Sequence, residues 1–497
     1  MPSASPSQPL FTRERLVVAG LLLFTLVLRS GVLWGMQGNL QQDPDAYREI
    51  AENVLAHGVY GLGKASNGND DPFGPTTPLR PTAYRPPLYP IVLSNLPAAD
   101  GKHVSLALVA VVHVLLGVGT VWLTYLTARR IVGSSRREEP AAESTSSAAL
   151  VPHGVRDLLS ERDLPWLLAT VLVACDPILL NQQSLVMTET LAAFLAILAL
   201  WCLARFHDHR YWWNAGLAGG VIGLAALCRP TFLPWLGLVA ALMIADCGLR
   251  IAEWRTRGLR SLANVAALAV VAAAVMSPWA IRNQQVFGKP ILTTTHGGYT
   301  LWLGNNPSFF DWLRRDISGL PWDVKQGRAG DQIHKDGLTR LEVFVELIEA
   351  NATDLPAEMF ADRFDARIAS RAIRNDPTGF AQACFYRIRQ LWSPLPHKLT
   401  AEESTKRTLL RYSTATWYCG VYALAAVGIC RLRWRLFRSP WVWGVLLCLT
   451  FTAVHTLYWC NLRMRAPLTP FVALVAGAAL ASIKPEAQAK ESGENSP

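Results

Sequence analysis

Ten ionisable residues set the chemistry this chain is able to do. Asp43, Asp45, Arg85, Glu189, Arg229, Arg282, His296, His455, Arg463 and Arg465 stand at the ends of long apolar runs or in the segments between them. A bilayer tolerates charge poorly at such depths, so each is a candidate for function before it is a candidate for decoration. The set is rich in guanidinium groups and carries two or three acids. Carboxylates accept protons or orient a hydroxyl, and the planar guanidinium of arginine holds an anion such as phosphate through a two-toothed fork. Each residue also has a plain structural role open to it. Asp43 and Asp45 in D-P-D-A-Y suit a helix start, as does Glu189 in M-T-E-T-L. Arg85, before Pro86 and Pro87, is placed to snorkel. Arg229 in C-R-P-T suits a turn and Arg282 a span boundary, whereas Arg463 and Arg465 run against the usual charge bias. Arg29 and Asp176 fall inside apolar runs and read as a structural pair, and His113 as a packed polar residue.

These residues need a scaffold, and the composition says which kind. Of 497 residues 51% are hydrophobic and only 17% charged, against about 25% in soluble domains. The mean hydropathy is +0.21. A disordered chain is excluded, and ten apolar segments are each close to the roughly 20 residues that span a bilayer. They lie near 15–36, 104–128, 164–183, 186–206, 212–228, 230–247, 260–281, 409–430, 440–459 and 464–483. The predicted fold is an all-α polytopic membrane protein of about 10–12 transmembrane helices. Outer-face amphipathic helices and a small extracytoplasmic loop domain complete it. Arginine clusters after the second, fourth, sixth and eighth spans share one side if both termini are cytoplasmic. The net charge of +10 is therefore assigned to membrane topology, and no nucleic-acid partner is expected. The expected location is the plasma (inner) membrane. The first span is too long for a signal h-region and reads as a retained anchor.

The division follows from the spans. Residues 1–281 form an N-terminal transmembrane catalytic module with a first outer loop at 37–103. Residues 282–408 form an extracytoplasmic region, 409–483 the last transmembrane helices, and 484–497 a disordered tail. A flexible cytoplasmic loop is expected at 134–163 and an interfacial or re-entrant piece at 87–98. Phe360, Phe364 and Ile368 recur every four residues, as in a helix lying in the membrane interface. The nine cysteines show no CxxC, so neither a disulfide scaffold nor a zinc site is expected.

The motifs then form an ordered set. D-P-D-A-Y-R-E-I-A, A-Y-R-P-P-L-Y-P, M-T-E-T-L, G-L-A-A-L-C-R-P-T, S-P-W-A-I-R-N-Q-Q-V-F-G-K-P, G-N-N-P and N-L-R-M-R-A-P-L-T-P-F follow one another along the chain. In this the chain resembles the GT-C membrane glycosyltransferases, of the protein-mannosyltransferase and lipid A aminoarabinose-transferase type, over nearly its whole length. The resemblance implies a polyprenyl-phosphate-linked sugar donor, a protein, lipid or glycan acceptor, and transfer on the non-cytoplasmic face. It implies that Asp43 is the essential first-loop acid and base, with Glu189 as a second acid and Asp45 beside them. Arg85 then contacts the lipid phosphate and Arg229 stands at the same helix break, with Arg282, Arg463 and Arg465 as further phosphate ligands. Tyr47, Tyr84, His296 and Asn305, in or near these motifs, are assigned to substrate binding. One position departs: Ala46 stands where aminoarabinose transferases carry arginine. No cofactor is implied with certainty, and a divalent ion on Asp43 and Asp45 stays open. The rival readings are a polyprenyl-phosphate transporter or flippase and a non-catalytic lipid-binding paralogue.

Overall fold

The computed structural model describes residues 13–63, 78–137, 163–248, 254–315, 322, 342–348, 355–398, 400 and 402–481. The flexible loop expected at 134–163, apart from the end of one helix, and the tail expected at 484–497 lie outside them. The described chain is helical throughout, with one two-stranded antiparallel ribbon, Gly61–Leu62 against Arg80–Pro81.

Among the described residues six helical segments are long and apolar enough to cross a bilayer: Glu14–Gly35, Leu106–Ile131, Leu164–Gln182, Glu189–Asp208, Ser261–Phe287 and Thr405–Phe437. They belong to α1 (Arg13–Gly35), α4 (Leu106–Arg137), α5 (Leu164–Ala174) with α6 (Pro177–Gln182), α7 (Glu189–Asp208), α10 (Trp254–Phe287) and α15 (Thr405–Leu432). Three shorter apolar helices are α8 (Trp212–Cys228), α9 (Phe232–Gly248) and α16 (Val442–Leu457). The tenth expected span contracts to the nine-residue α17 (Thr469–Gly477), flanked by 3-10 turns. Proline explains the shortening. Pro230 and Pro467 each remove a backbone donor where a longer helix would need one.

The break between α5 and α6 has a definite cause. Pro177 opens α6, and the Asp176 carboxylate accepts from Leu179 N at 2.9 Å and from the Tyr418 hydroxyl at 2.9 Å. Asp176 is thus a helix cap and not the partner expected for Arg29. Arg29 instead donates to Gln183 Oε1 at 3.1 Å and the Val173 carbonyl at 3.4 Å. His113 bridges Gln183 O and the Tyr89 hydroxyl.

Small residues set the closest packing. Gly216, Gly219, Gly220 and Gly223 line the face of α8 that meets α10. A Cβ at Gly219 would strike the Leu268 carbonyl, so the two backbones touch directly, as small-residue stripes allow in membranes.

Two helices between the spans bear on the site. α2 (Tyr47–His57) follows α1 and packs on α3 (Leu88–Ser94). The piece expected to be re-entrant is this α3, with Tyr89 and Leu93 buried in the bundle. Later come α11 (Gly297–Gly304), α12 (Pro307–Arg315), α13 (Ala357–Asn375) and α14 (Pro377–Trp392). The Phe360, Phe364 and Ile368 stripe lies on α13. It packs on Trp302 and on Val343 and Leu347 of the short helix at 342–348.

Candidate functional site

The start of α2 builds one wall. Its N-cap, Ala46, sits in the left-handed region at φ 58° and offers no side-chain acceptor. Asp43 supplies one: its Oδ2 accepts from Arg48 N and Glu49 N, both at 3.0 Å. The left-handed turn then points Asp45 the other way, toward Arg85. Arg85 Nη2 meets Asp45 Oδ1 at 3.0 Å, and its Nε donates to the Asp45 carbonyl at 2.8 Å.

From Asp45 a chain of charges crosses to the far wall. Arg463 Nη2 lies 3.5 Å from Asp45 Oδ2, and its Nε lies 3.4 Å from Glu189 Oε1. Arg229, at the break between α8 and α9, approaches the same Glu189 oxygen at 3.3 Å. Arg463 therefore bridges two carboxylates from distant parts of the sequence. Glu189 is 1% exposed, and its Oε2 has no partner among the described residues. Three guanidinium groups and two carboxylates leave this cluster with one net positive charge.

All five charges line one cavity of about 580 Å³, inside the ~300–1,000 Å³ range of small-molecule sites. Its other wall is aromatic. Tyr84 and Tyr299 flank the His296 ring at centroid distances of 4.2 and 5.1 Å, and Arg85 lies over the Tyr47 and Tyr84 rings. Arg85 Nη1 stands 3.2 Å from His296 Nε2. A guanidinium only donates, so Nε2 accepts and the proton sits on Nδ1. Burial, with Arg85 beside it, pushes His296 down to about 3. Burial also lifts the Tyr84 hydroxyl to about 12.

A latch holds this wall. Glu358, in the first turn of α13, accepts from Ala83 N at 2.8 Å and Thr82 Oγ1 at 2.6 Å, and also from the Thr295 hydroxyl. It ties together the two loops that carry Arg85 and His296. Asp362, one turn on, accepts from Gly298 N at 2.6 Å.

Eight of the twelve sequence-derived candidates meet in this cavity: Asp45, Glu189, Arg85, Arg229, Arg463, Tyr47, Tyr84 and His296. Four do not. Asp43 lies outside the cavity lining, with Oδ2 taken by the two amides of α2 and Oδ1 buried without a partner among the described residues. Arg282 donates to the Thr82 and Tyr60 carbonyls at 2.8 Å and so braces the first loop. Arg465 donates to Ser393 O at 2.6 Å and the Tyr422 hydroxyl at 2.7 Å, and lies 3.9 Å over the Tyr418 ring. Residues 462–468 form a 3-10 helix, in which two positions are about 240° apart, so Arg463 and Arg465 leave on different sides. Asn305 binds the Leu457 carbonyl at 2.8 Å and accepts from the buried Arg387. Glu358 carried no sequence signal beyond a favourable acid at a helix start. Tyr299 did carry one, standing three residues after His296.

Among the described residues no group of three His, Cys, Asp or Glu is arranged to hold a metal ion. The pair left open for a divalent ion does not fit one, since Asp45 faces two guanidinium groups and Asp43 faces two amides.

No protein-family model and no curated protein matches the chain. Among solved structures it is similar to the oligosaccharyltransferase AglB from Archaeoglobus fulgidus in complex with an inhibitory peptide and a dolichol-phosphate. That match has 14% identity over 96% of this chain and 52% of the other, at a TM-score of 0.47. The apo oligosaccharyltransferase of the same archaeon matches with 17% identity over 92% and 50%, at 0.48. ArnT from Cupriavidus metallidurans bound to undecaprenyl phosphate matches with 14% identity over 93% and 77%, at 0.36. The chain spans about half the length of the two archaeal proteins.

Proposed function

We propose that the chain is an integral membrane glycosyltransferase of the GT-C type. It moves a sugar from a polyprenyl-phosphate-linked donor to an acceptor hydroxyl, on the extracytoplasmic face of the inner membrane. One observation carries the reading. Arg463 bridges Asp45 and Glu189 in a cavity that also holds Arg85 and Arg229, so proton-accepting and anion-holding groups share one space.

In this reading the acceptor oxygen attacks the anomeric carbon while the bond from that carbon to the phosphate oxygen breaks. The acceptor proton passes to a carboxylate, and the electron pair leaves on the polyprenyl phosphate. The base role expected of Asp43 is assigned here instead to Glu189: each carboxylate keeps one buried oxygen without a partner among the described residues, but only Glu189 lines the cavity. A base must first be within reach of the proton it takes. Arg85, Arg229 and Arg463 stabilise the charge that develops on the leaving phosphate. Asp45 holds Arg85 and Arg463 in place. The aromatic wall of Tyr84, His296 and Tyr299 offers the sugar ring a face to lie on. A single displacement inverts the anomeric centre.

The test is transfer in proteoliposomes containing the purified full chain, a panel of polyprenyl-phosphate-linked sugars and hydroxyl acceptors. Donor-dependent sugar transfer or release, with inverted configuration, is expected. Donor binding without release from any member of the panel would leave a lipid-binding protein instead.

A further inference from the structure

Arg465 is buried two residues from Arg463 on the 3-10 helix Leu462–Leu468, and the transfer reading gives it no part. Its Nη1 donates to the Leu391 carbonyl at 3.3 Å, the Ser393 carbonyl at 2.6 Å and the Tyr422 hydroxyl at 2.7 Å. The guanidinium lies 3.9 Å over the Tyr418 ring, and the Tyr418 hydroxyl donates to Asp176 at 2.9 Å. Asp176 in turn caps α6, the helix that precedes Glu189 and α7. A column of Asp176, Tyr418 and Arg465 thus pins the start of α6, the middle of α15 and the end of α14 to the 3-10 helix. Both α6 and α7 pack on that 3-10 helix.

The charge cluster is sensitive to where this short helix sits. Arg463 meets Asp45 at 3.5 Å and Glu189 at 3.4 Å, whereas well-formed charge-assisted hydrogen bonds run at about 2.7–2.9 Å. A retreat of about 1 Å carries both contacts past the ~4 Å reach of an ion pair. A 3-10 helix is tightly wound and rises only about 2.0 Å per residue, so a displacement at 465 is felt at 463. Misplacing a catalytic group by about 1 Å can cost about 100-fold in rate.

We propose that Arg465 is a positioning residue: held by Tyr418, Tyr422 and the end of α14, it fixes the 3-10 helix so that Arg463 reaches both carboxylates. Its catalytic consequence rests on the transfer reading, and its geometric consequence does not, so the two are measured apart. Arg465→Met fills the space without the fork. In proteoliposomes with the full chain and a polyprenyl-phosphate-linked sugar, it should lower kcat/KM at least about tenfold, yet cost less than about twofold in an Arg463→Ala background. Arg465→Lys keeps the charge without the fork. It should lose less and show the same dependence on Arg463, and it takes the place of Arg465→Met if that variant does not fold. A cryo-EM structure of the folded variant should place Arg463 more than about 4 Å from Asp45 or Glu189. Wild type that transfers no sugar rejects the transfer reading alone, and the cryo-EM distances then decide. Arg463 unmoved in the folded variant overturns the proposal, as does wild-type turnover or a loss that multiplies in full with Arg463→Ala.

Discussion

Replacing Glu189 by glutamine is the sharpest perturbation of the site. The amide keeps the size of the side chain and can still accept hydrogen bonds, but it takes no proton. If Glu189 is the base, turnover should fall at least about 100-fold, the lower end of what general-base catalysis supplies and about 2.7 kcal/mol in barrier height. The substitution also strips a counter-charge from Arg229 and Arg463, raising the cluster from one net positive charge to two. Removing one partner of a buried ion pair costs about 3–5 kcal/mol. Here the cost should sit at the low end or below, because the Arg463 side chain is 29% exposed and retains Asp45. Donor affinity should hold or tighten, since the extra positive charge favours the phosphate. Single-turnover transfer in proteoliposomes, with donor at saturating concentration, isolates the chemical step. Glu189→Asp serves as the charge-keeping control: stable, but slow because its carboxylate is one methylene short. Asp43→Asn should lose far less, as its amide oxygen still caps α2. Transfer by Glu189→Gln within about threefold of wild type, or a deeper loss in Asp43→Asn, would refute the assignment.

Four further outcomes are expected. Arg463→Ala removes the bridge between Asp45 and Glu189 and should lower kcat/KM by about 100-fold or more, while Arg463→Lys restores charge without the fork and rescues only part. Glu358→Gln should loosen the loops carrying Arg85 and His296, raising donor KM by about tenfold with little change in kcat, read from initial rates. Gly219→Val drives a side chain into the Leu268 carbonyl and should destabilise by about 1–3 kcal/mol or more, seen as a lower thermal midpoint with the site untouched. His296 has its pKa lowered in the fold, so the folded state binds fewer protons than the unfolded state does. The stability it contributes is complete above the ordinary value of 6.5 and is lost as pH falls toward about 3. Thermal midpoints should therefore drop on acidification through that window, and His296→Asn should flatten the drop.

Much of this was legible from periodicity and from misplaced charge. The apolar runs marked where helices lie because a bilayer demands about 20 residues of one character. Of the eight candidates that share the cavity, six were singled out because ionisable residues at span ends are rare without a use, and Tyr47 and Tyr84 by their motifs. What the sequence left open was local and geometric. Asp43 and Asp45 are two residues apart and chemically identical, and only the left-handed turn at Ala46 decides which faces the cavity. Arg463 and Arg465 are separated the same way, by a 3-10 helix that sequence does not announce. Glu358 escaped because its partners, Thr82, Ala83 and Thr295, are dozens to hundreds of residues away. The amphipathic stripe of α13 was seen, but its partner could equally have been lipid, and the stripe alone does not say which.

The charge count of the cavity makes a stronger argument than any single residue. A phosphodiester donor brings one negative charge to a cluster with one positive charge in excess, so the loaded site is neutral and desolvation is tolerable. As the sugar departs, the phosphate gains a second negative charge. In the proposed reaction the same step protonates Glu189, which then ceases to compete for Arg229 and Arg463. Both arginines sit 3.3–3.4 Å from its Oε1 and are freed for the phosphate as its charge grows. Proton uptake and leaving-group stabilisation are thus one event, seen from two sides of the same ion pairs. If that coupling holds, Arg229→Ala should slow the chemical step in wild type, yet add little to the loss already present in Glu189→Gln. Strict additivity of the two would mean that the arginines and the carboxylate act separately.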